Sequence, residues 1–311
     1  MIRPAQRSQA KPLIGFYAES GGGKTHSALL MARGFVGPTG RICMIETEQG
    51  RGEAFVDMIP GGYDVRPMRD DFSPKLYNEA LREVEGGGYD ALIIDSASHE
   101  WEAQGGVLDM AEKARAGGAK GVLVWQQPKM QHARQFMLPL LQTAIPLVIV
   151  CMRARYPMVR DVSKRGTEGE WKRSERLEPK QSDDILFELF VHGWFDAAEH
   201  KFHATRYGRP DLATVIKDNE VIDITTGERL AQWAKQAPSP AEAAPSPRLH
   251  EEARAAAALG RVELRAWWRT LNAASRVVLQ AEIDELGRLA DEADKQHSPR
   301  AEDAQEDRLG E

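Results

Sequence analysis

Cysteine is nearly absent from the chain: Cys43 and Cys151 are the only two among 311 residues. They lie 108 positions apart, each inside an apolar run. Neither a disulfide framework nor a zinc-ligand spacing is present, and the pattern predicts buried, reduced thiols of a cytosolic protein. No apolar run approaches the roughly 18 residues of a membrane span. The longest, around Ile145 to Met152, has the length of a strand. The opening residues MIRPAQRSQAK lack the apolar stretch of a secretory signal. Positive charge is not in excess either. Lys and Arg number 41 against 47 Asp and Glu, a net charge of −6, which excludes a globally basic nucleic-acid binder but not a local basic patch. Internal repeats are lacking. What is present, 42% hydrophobic residues over 311 positions, suffices for one sizeable core and a small appendage.

Apolar strand-like runs alternate with helical spacing through the first half of the sequence. KPLIGFYAES (11–20) reads as a buried strand entering a glycine loop, and Ala28, Leu29, Met31, Ala32 and Phe35 mark the helix after it. Strands are expected at 41–45, 91–94 and 146–151. Ser73 and Pro74 open a helix whose apolar side holds Leu76, Ala80, Leu81 and Val84, and Gly86-Gly87-Gly88 ends it. Further helices are expected at about 98–115 and 129–143, flanking WQQP at 125–128, with Trp101 and Trp125 packed in the core. This alternation predicts a three-layer α/β fold with a parallel sheet. Past residue 153 the pattern changes to antiparallel β, at roughly 156–162, 171–178, 184–191 and 200–206. The first domain is therefore expected to span 1–236, an α/β core with a β-rich extension. A Pro/Ala-rich linker follows at 237–249, then a small helical module at 250–295 and an acidic tail at 296–311. From Asp291 onward the end of the chain holds eight acids and three bases.

The strongest chemical signal is Ala18-Glu19-Ser20-Gly21-Gly22-Gly23-Lys24-Thr25. It matches the phosphate-binding loop G-x-x-x-x-G-K-[ST], with alanine at its first position. Such a loop turns successive backbone N–H groups toward phosphate at a helix N-terminus. Ser20, Gly21, Gly22, Gly23, Lys24, Thr25 and His26 are the candidate nucleotide-binding residues. The Thr25 hydroxyl is a candidate Mg²⁺ ligand and Lys24 reaches the β- and γ-phosphates. Asp95, ending the strand ALIID, either supports the metal through water or caps the next helix. Serine rather than glutamate follows it, so a water-activating base must come from elsewhere, and Glu46, Glu48 and Glu100 compete for that role. His200 and His203 are three apart without a third ligand, which argues against a metal site there.

The motifs AESGGGKT (18–25), IETEQG (45–50), ALIIDS (91–96) and VIVCMRAR (148–155) together resemble phage-encoded RecA-like P-loop ATPases, in particular the single-strand annealing group of recombination mediators. The resemblance covers 11–235. It implies a RecA-like core, ATP and Mg²⁺ as cofactors, and Glu48 as the residue that polarises the attacking water. Arg153, where the family's glutamine is missing, is either a γ-phosphate sensor or a strand-end arginine bonding to an acid. The segment after this strand would touch single-stranded DNA. Residues 153–180 carry nine Lys/Arg against five Asp/Glu. Arg160, Lys164, Arg165, Trp171, Lys172 and Arg173 are the candidate contacts, offering phosphate attraction and a stacking face. A solvated hairpin with a basic rim is the alternative. Arg206, with Arg209 in reserve, would reach a neighbour's γ-phosphate in a homo-oligomer.

The function expected is a DNA-stimulated ATPase of phage recombination or annealing in the host cytoplasm. Single-stranded DNA is its expected partner, with a single-strand binding protein or another recombination protein meeting the C-terminal module. A small-molecule P-loop kinase and a nucleotide-dependent adaptor are the alternatives.

Overall fold

Leu13–Ala18 form the first strand, β1, and every one of its six residues is buried. Its parallel neighbours are β5 (Leu147–Arg155) and β9 (Val191–Phe195). The computed structural model describes residues 11–160, 171–235, 247–271 and 278–297. The chain divides into two compact units, Met1–Ala237 and Pro238–Glu311.

Beyond β5 the sheet of the first unit continues in parallel through β4 (Ala91–Asp95), β2 (Ile42–Glu46) and β3 (Asp64–Pro67). On the other side, β10 (Lys201–Tyr207) and β11 (Glu220–Val221) complete the edge in antiparallel fashion. The order is β11-β10-β9-β1-β5-β4-β2-β3. Continuous apolar runs such as ALIID suit strands covered on both faces. On one face Ile14, Phe16 and Ala18 pack with Ala28, Leu29 and Met31 of helix α1 (Lys24–Val36). On the other, Leu13 and Tyr17 share a core with Tyr77, Leu81 and Val84 of α2 (Pro74–Gly86) and with Phe136 and Leu140.

The connections after β4 are helical: α3 (Ser98–Glu102), α4 (Val107–Ala116), α5 (Leu123–His132), a π-helical turn (Ala133–Met137) and α6 (Leu138–Gln142). WQQP is thus no break between helices, because Pro128 lies inside α5. Trp101 and Trp125 are not core residues. Both are half-buried and line a surface cavity of about 900 Å³ with Val122, Leu123 and Lys129.

The expected antiparallel extension is largely part of the main sheet. Among the described residues only β6 (Met158–Arg160) and β7 (Trp171–Arg173) form a separate two-stranded hairpin, and the short β8 (Glu178–Pro179) pairs with the end of β5. The stretch expected as a strand at 184–191 starts as helix α7 (Asp183–Glu188). The Ser182 hydroxyl accepts the Asp184 N–H at 3.2 Å, and Asp183 and Asp184 suit the positive end of a helix. The chain then runs into β9, parallel to β1. After β11, helix α8 (Ile224–Lys235) packs on α1.

Among its described residues the second unit contains α9 (Pro247–Ala258), α10 (Arg261–Thr270) and α11 (Ile283–His297), in line with a small helical module. Its core is thin: Ala253, Ala257, Leu279, Leu286 and Ala290, flanked by half-buried Leu264, Trp267 and Trp268.

Candidate nucleotide-binding site

Strand register gathers the site at the C-terminal edge of the sheet, where open α/β folds bind ligands. Ala18 lies opposite Arg153, Asp95 opposite Cys151, and Glu46 opposite Asp95. The phosphate loop leaves β1 at Ala18 and enters α1 at Lys24. Gly21 and Gly23 have φ of 85° and 89°, a region that disfavours side chains. A Cβ on Gly22 would stand 2.7 Å from that of Ala18, so glycine at 22 makes room for alanine at the loop's first position.

The end of α1 meets Asp95 directly. The Thr25 hydroxyl donates to Asp95 Oδ2, and Lys24 Nζ lies 3.7 Å from Asp95 Oδ1. Burial alone would lower the Lys24 pKa, but Asp95, Cys151 and Glu48 hold it above the ordinary lysine value. Asp95 is 2% exposed and its Oδ1 accepts no hydrogen bond. An orphaned carboxylate oxygen beside a threonine hydroxyl and the phosphate loop fits a hydrated Mg²⁺. Among the described residues no three His, Cys, Asp or Glu side chains form a metal cage. Mg²⁺ commonly takes one or two protein oxygens together with substrate phosphates, and Thr25 and Asp95 would suit such a role.

The three candidate bases separate cleanly. Glu46 is fully buried and saturated: its carboxylate accepts from Glu48 N at 2.6 Å, Gly50 N at 3.0 Å and Arg69 Nη1 at 2.6 Å. It shapes the turn that presents Glu48. Glu100 is also fully buried and bonds His132 Nδ1 at 3.0 Å and Gln181 Nε2 at 3.3 Å. Burial raises its pKa despite those partners. Glu48 alone lines the phosphate cavity, and it is held there by Arg153, with Nε–Oε1 at 2.9 Å and Nη2–Oε2 at 2.8 Å. Burial would raise the Glu48 pKa, but Arg153, Lys24 and His99 outweigh it and keep the carboxyl below its ordinary range.

Two cavities meet at Glu48. The smaller, about 230 Å³, is lined by Ser20, Lys24, Arg51, Arg153 and Lys180, four of them cationic. The larger, about 820 Å³, takes in the whole loop from Ser20 to His26 and opens onto Leu30, Phe55, Met58 and Val221. His26 stacks on Phe55 with ring centroids 5.7 Å apart, and burial next to His200 lowers its pKa. The apolar part of this cavity suits a planar base, the loop suits phosphates, and the cationic cleft suits the terminal phosphate. Sequence reading missed Arg51, Phe55, Lys180 and His200. Arg51 follows Gly50 at the turn after β2, a local signal that could have been used. Lys180 and His200 arrive from residues next to strands distant in sequence.

The basic segment is only in part within the described residues: Lys164 and Arg165 lie outside them. Arg160, Trp171, Lys172 and Arg173 are exposed on the β6–β7 hairpin. The Arg160 guanidinium lies over the Trp171 ring at 5.3 Å and that of Arg173 over Tyr156 at 4.4 Å. Arg173 also reaches Glu19 of the phosphate loop at 3.5 Å. Arg206 is elsewhere. It donates to the carbonyls of Leu186 and Phe187 at 3.1 and 2.9 Å, near the end of β10 that points away from the loop. Arg209 pairs with Asp211 at 3.0 Å. Neither arginine lines the phosphate cavity of its own chain.

The first unit is thus a mixed α/β fold with a mostly parallel sheet. No family model matches the sequence, and no curated protein matches it. Among solved structures, the chain is similar to a prototypical ATPase from the type III secretion system of pathogenic bacteria. The identity is 14%, over 90% of this chain and 75% of that one, with a TM-score of 0.38. That likeness is loose, and the reading of the site rests on its own geometry. Among the described residues no helix is long and apolar enough to cross a membrane.

Proposed function

We propose that the chain binds Mg²⁺-ATP at the Ala18–Thr25 loop and hydrolyses it, with single-stranded DNA as the partner of the β6–β7 hairpin. The observation that carries this reading is the convergence of Lys24, Arg51, Arg153 and Lys180 on one small cleft that also holds the half-buried carboxylate of Glu48. Lys24 and the loop N–H groups orient the phosphates. Glu48 takes a proton from a water aimed at the γ-phosphorus, the bond to the β–γ bridging oxygen breaks, and the cations of the cleft compensate the charge that develops. Thr25 and Asp95 would hold Mg²⁺, which would supply charge neutralisation to the nucleotide phosphates.

Support for DNA as the partner comes from the exposed arginines of the hairpin, its two cation–π pairs and the Arg173–Glu19 link to the loop. The wider role, recombination or strand annealing of phage type, rests on the sequence resemblance. So does the action of Arg206 in trans within a homo-oligomer, and so does recruitment of a single-strand binding protein by the second unit. The test is ATP turnover with and without single-stranded DNA at two salt concentrations, with Lys24→Ala as the blank. Stimulation that is lost in Lys24→Ala and weakened by salt is the expected result. Turnover indifferent to DNA would instead favour the adaptor or kinase reading.

A further inference from the structure

A further cavity, of about 370 Å³, lies at the root of the hairpin and apart from the phosphate loop. It is lined by Tyr17, Tyr156, Glu175, Arg176, Trp194 and Thr205. Its volume falls within the ~300–1,000 Å³ of small-molecule sites. It sits on the sheet face opposite α1, where Tyr17, Tyr156 and Trp194 belong to the second core cluster.

Three features define what fits. The walls are aromatic, and two of them are braced: His203 stacks on Trp194 with centroids 4.3 Å apart, and Arg173 covers Tyr156 at 4.4 Å. Braced planes lose little freedom when another ring stacks on them. The polar groups are of both kinds: Arg176 donates, Glu175 accepts, and Tyr17 and Thr205 join their hydroxyls at 2.5 Å. Neither Glu175 nor Arg176 makes an ion pair among the described residues. Finally, Arg176 in the lining and Arg173 over Tyr156 are both exposed cations, suited to the phosphates of a passing strand.

We propose that this cavity receives one unstacked nucleobase of a single strand whose backbone follows the hairpin. The proposal rests on the nucleic-acid reading above and adds a specific base pocket to it. An aromatic-lined cavity with both donors and acceptors matches a base better than an aliphatic group, and base–aromatic stacking is sequence-tolerant. Occupancy also has a route to the nucleotide site, because the Arg173 that braces Tyr156 pairs with Glu19 of the phosphate loop.

The test uses the full chain and a thymidine oligonucleotide carrying 5-iodouracil. Photo-crosslinks are mapped by mass spectrometry, and affinity is measured for the wild type, Tyr156→Leu and Trp194→Leu. Crosslinks at Tyr156 or Trp194, with affinity falling about 5- to 150-fold per aromatic removed, are expected. Crosslinks confined to Trp171, with both variants binding within twofold of wild type, overturn the pocket and leave the DNA reading standing. No binding by the wild type at low salt overturns both. The wild-type crosslink map decides the matter even if Trp194→Leu fails to fold.

Discussion

The guanidinium of Arg153 grips the carboxylate of Glu48 through two hydrogen bonds, at 2.9 and 2.8 Å, across 105 positions of sequence. The two residues proposed to act on the terminal phosphate thus hold one another. A γ-phosphate entering the cleft competes with Glu48 for Arg153, and winning that competition frees the carboxylate for water. Arg153 lies at the end of β5, whose last residues pair with β8 and lead into the hairpin. The same arginine therefore stands between nucleotide and hairpin.

Glu48→Gln keeps the shape of this pair and removes the base. Hydrolysis is expected to fall on the order of 10²–10⁴-fold, with ATP affinity little changed, as read by single-turnover kinetics and equilibrium binding. A drop below tenfold would assign the base elsewhere.

Removing the arginine tests its hold on the carboxyl. A base works when deprotonated, and Arg153 helps to keep the Glu48 pKa below its ordinary range. The acid limb of kcat/KM, which reports the free enzyme, is expected below that range in the wild type, and in Arg153→Ala it should move to higher pH, because burial then acts with less opposition. Arg153→Lys should not restore the wild-type profile, since an ammonium cannot make the two-pronged contact. An unchanged acid limb in Arg153→Ala would show that the pair does not set the base.

Asp95 is expected to tie nucleotide affinity to the metal. A ligand at 100 times its Kd adds about 2.7 kcal/mol of stability, so wild-type melting should rise with Mg²⁺-ATP and less with ATP plus EDTA. In Asp95→Asn, whose side chain still meets Thr25 but lacks the charge, the two conditions should converge. Differential scanning fluorimetry reads this directly.

The phosphate loop, β1, α1, α2 and Asp95 were legible in the sequence because each depends on neighbours within a few residues. A glycine run after an apolar strand, or Ser73-Pro74 before a helix, is local chemistry. The choice between Glu46 and Glu48 was open to residue reading, because both follow the same strand. What separates them is that Arg69 and two backbone N–H groups saturate Glu46, a matter of three-dimensional packing. The stretch DDILFELF was misread because its apolar residues suit a strand, while Ser182 and the two aspartates start a helix there. The parallel pairing of β9 with β1 joins segments more than 170 residues apart, and no periodicity reports that. His200 and Lys180 reach the nucleotide cavities only through such pairings.

Glu46 is predicted to matter for stability first and for catalysis through Glu48. Truncation to alanine strands two backbone N–H groups and the Arg69 guanidinium, at a cost of about 3 kcal/mol, measurable as a lower urea midpoint. Arg69 is itself part-exposed, so water recovers some of its loss. Glu46→Gln, which keeps acceptor and shape, should lose less stability and retain hydrolysis within about tenfold, unlike Glu48→Gln. If Glu46→Gln abolished turnover while folding normally, the assignment of the two glutamates would have to be reversed.

Helix α1 carries Lys24 and Thr25, and its position depends on a contact between two glycines. A Cβ on Gly34 would stand 1.9 Å from the Ile224 carbonyl oxygen, and one on Gly227 would stand 2.0 Å from that of Met31. The obstructing atoms are backbone, so no side-chain rotation relieves them and the two helices must move apart. Overpacking of this kind costs about 1–3 kcal/mol, and Gly227→Ala also gains slightly from its better helix propensity. The net expectation is a loss of about 1–2 kcal/mol in chemical denaturation, together with weaker ATP binding, because α1 shifts beneath the loop. A surface glycine, Gly86→Ala, meets nothing within 4 Å and serves as the control. Gly227→Ala as stable as that control would mean that α1 and α8 are not held by this close approach.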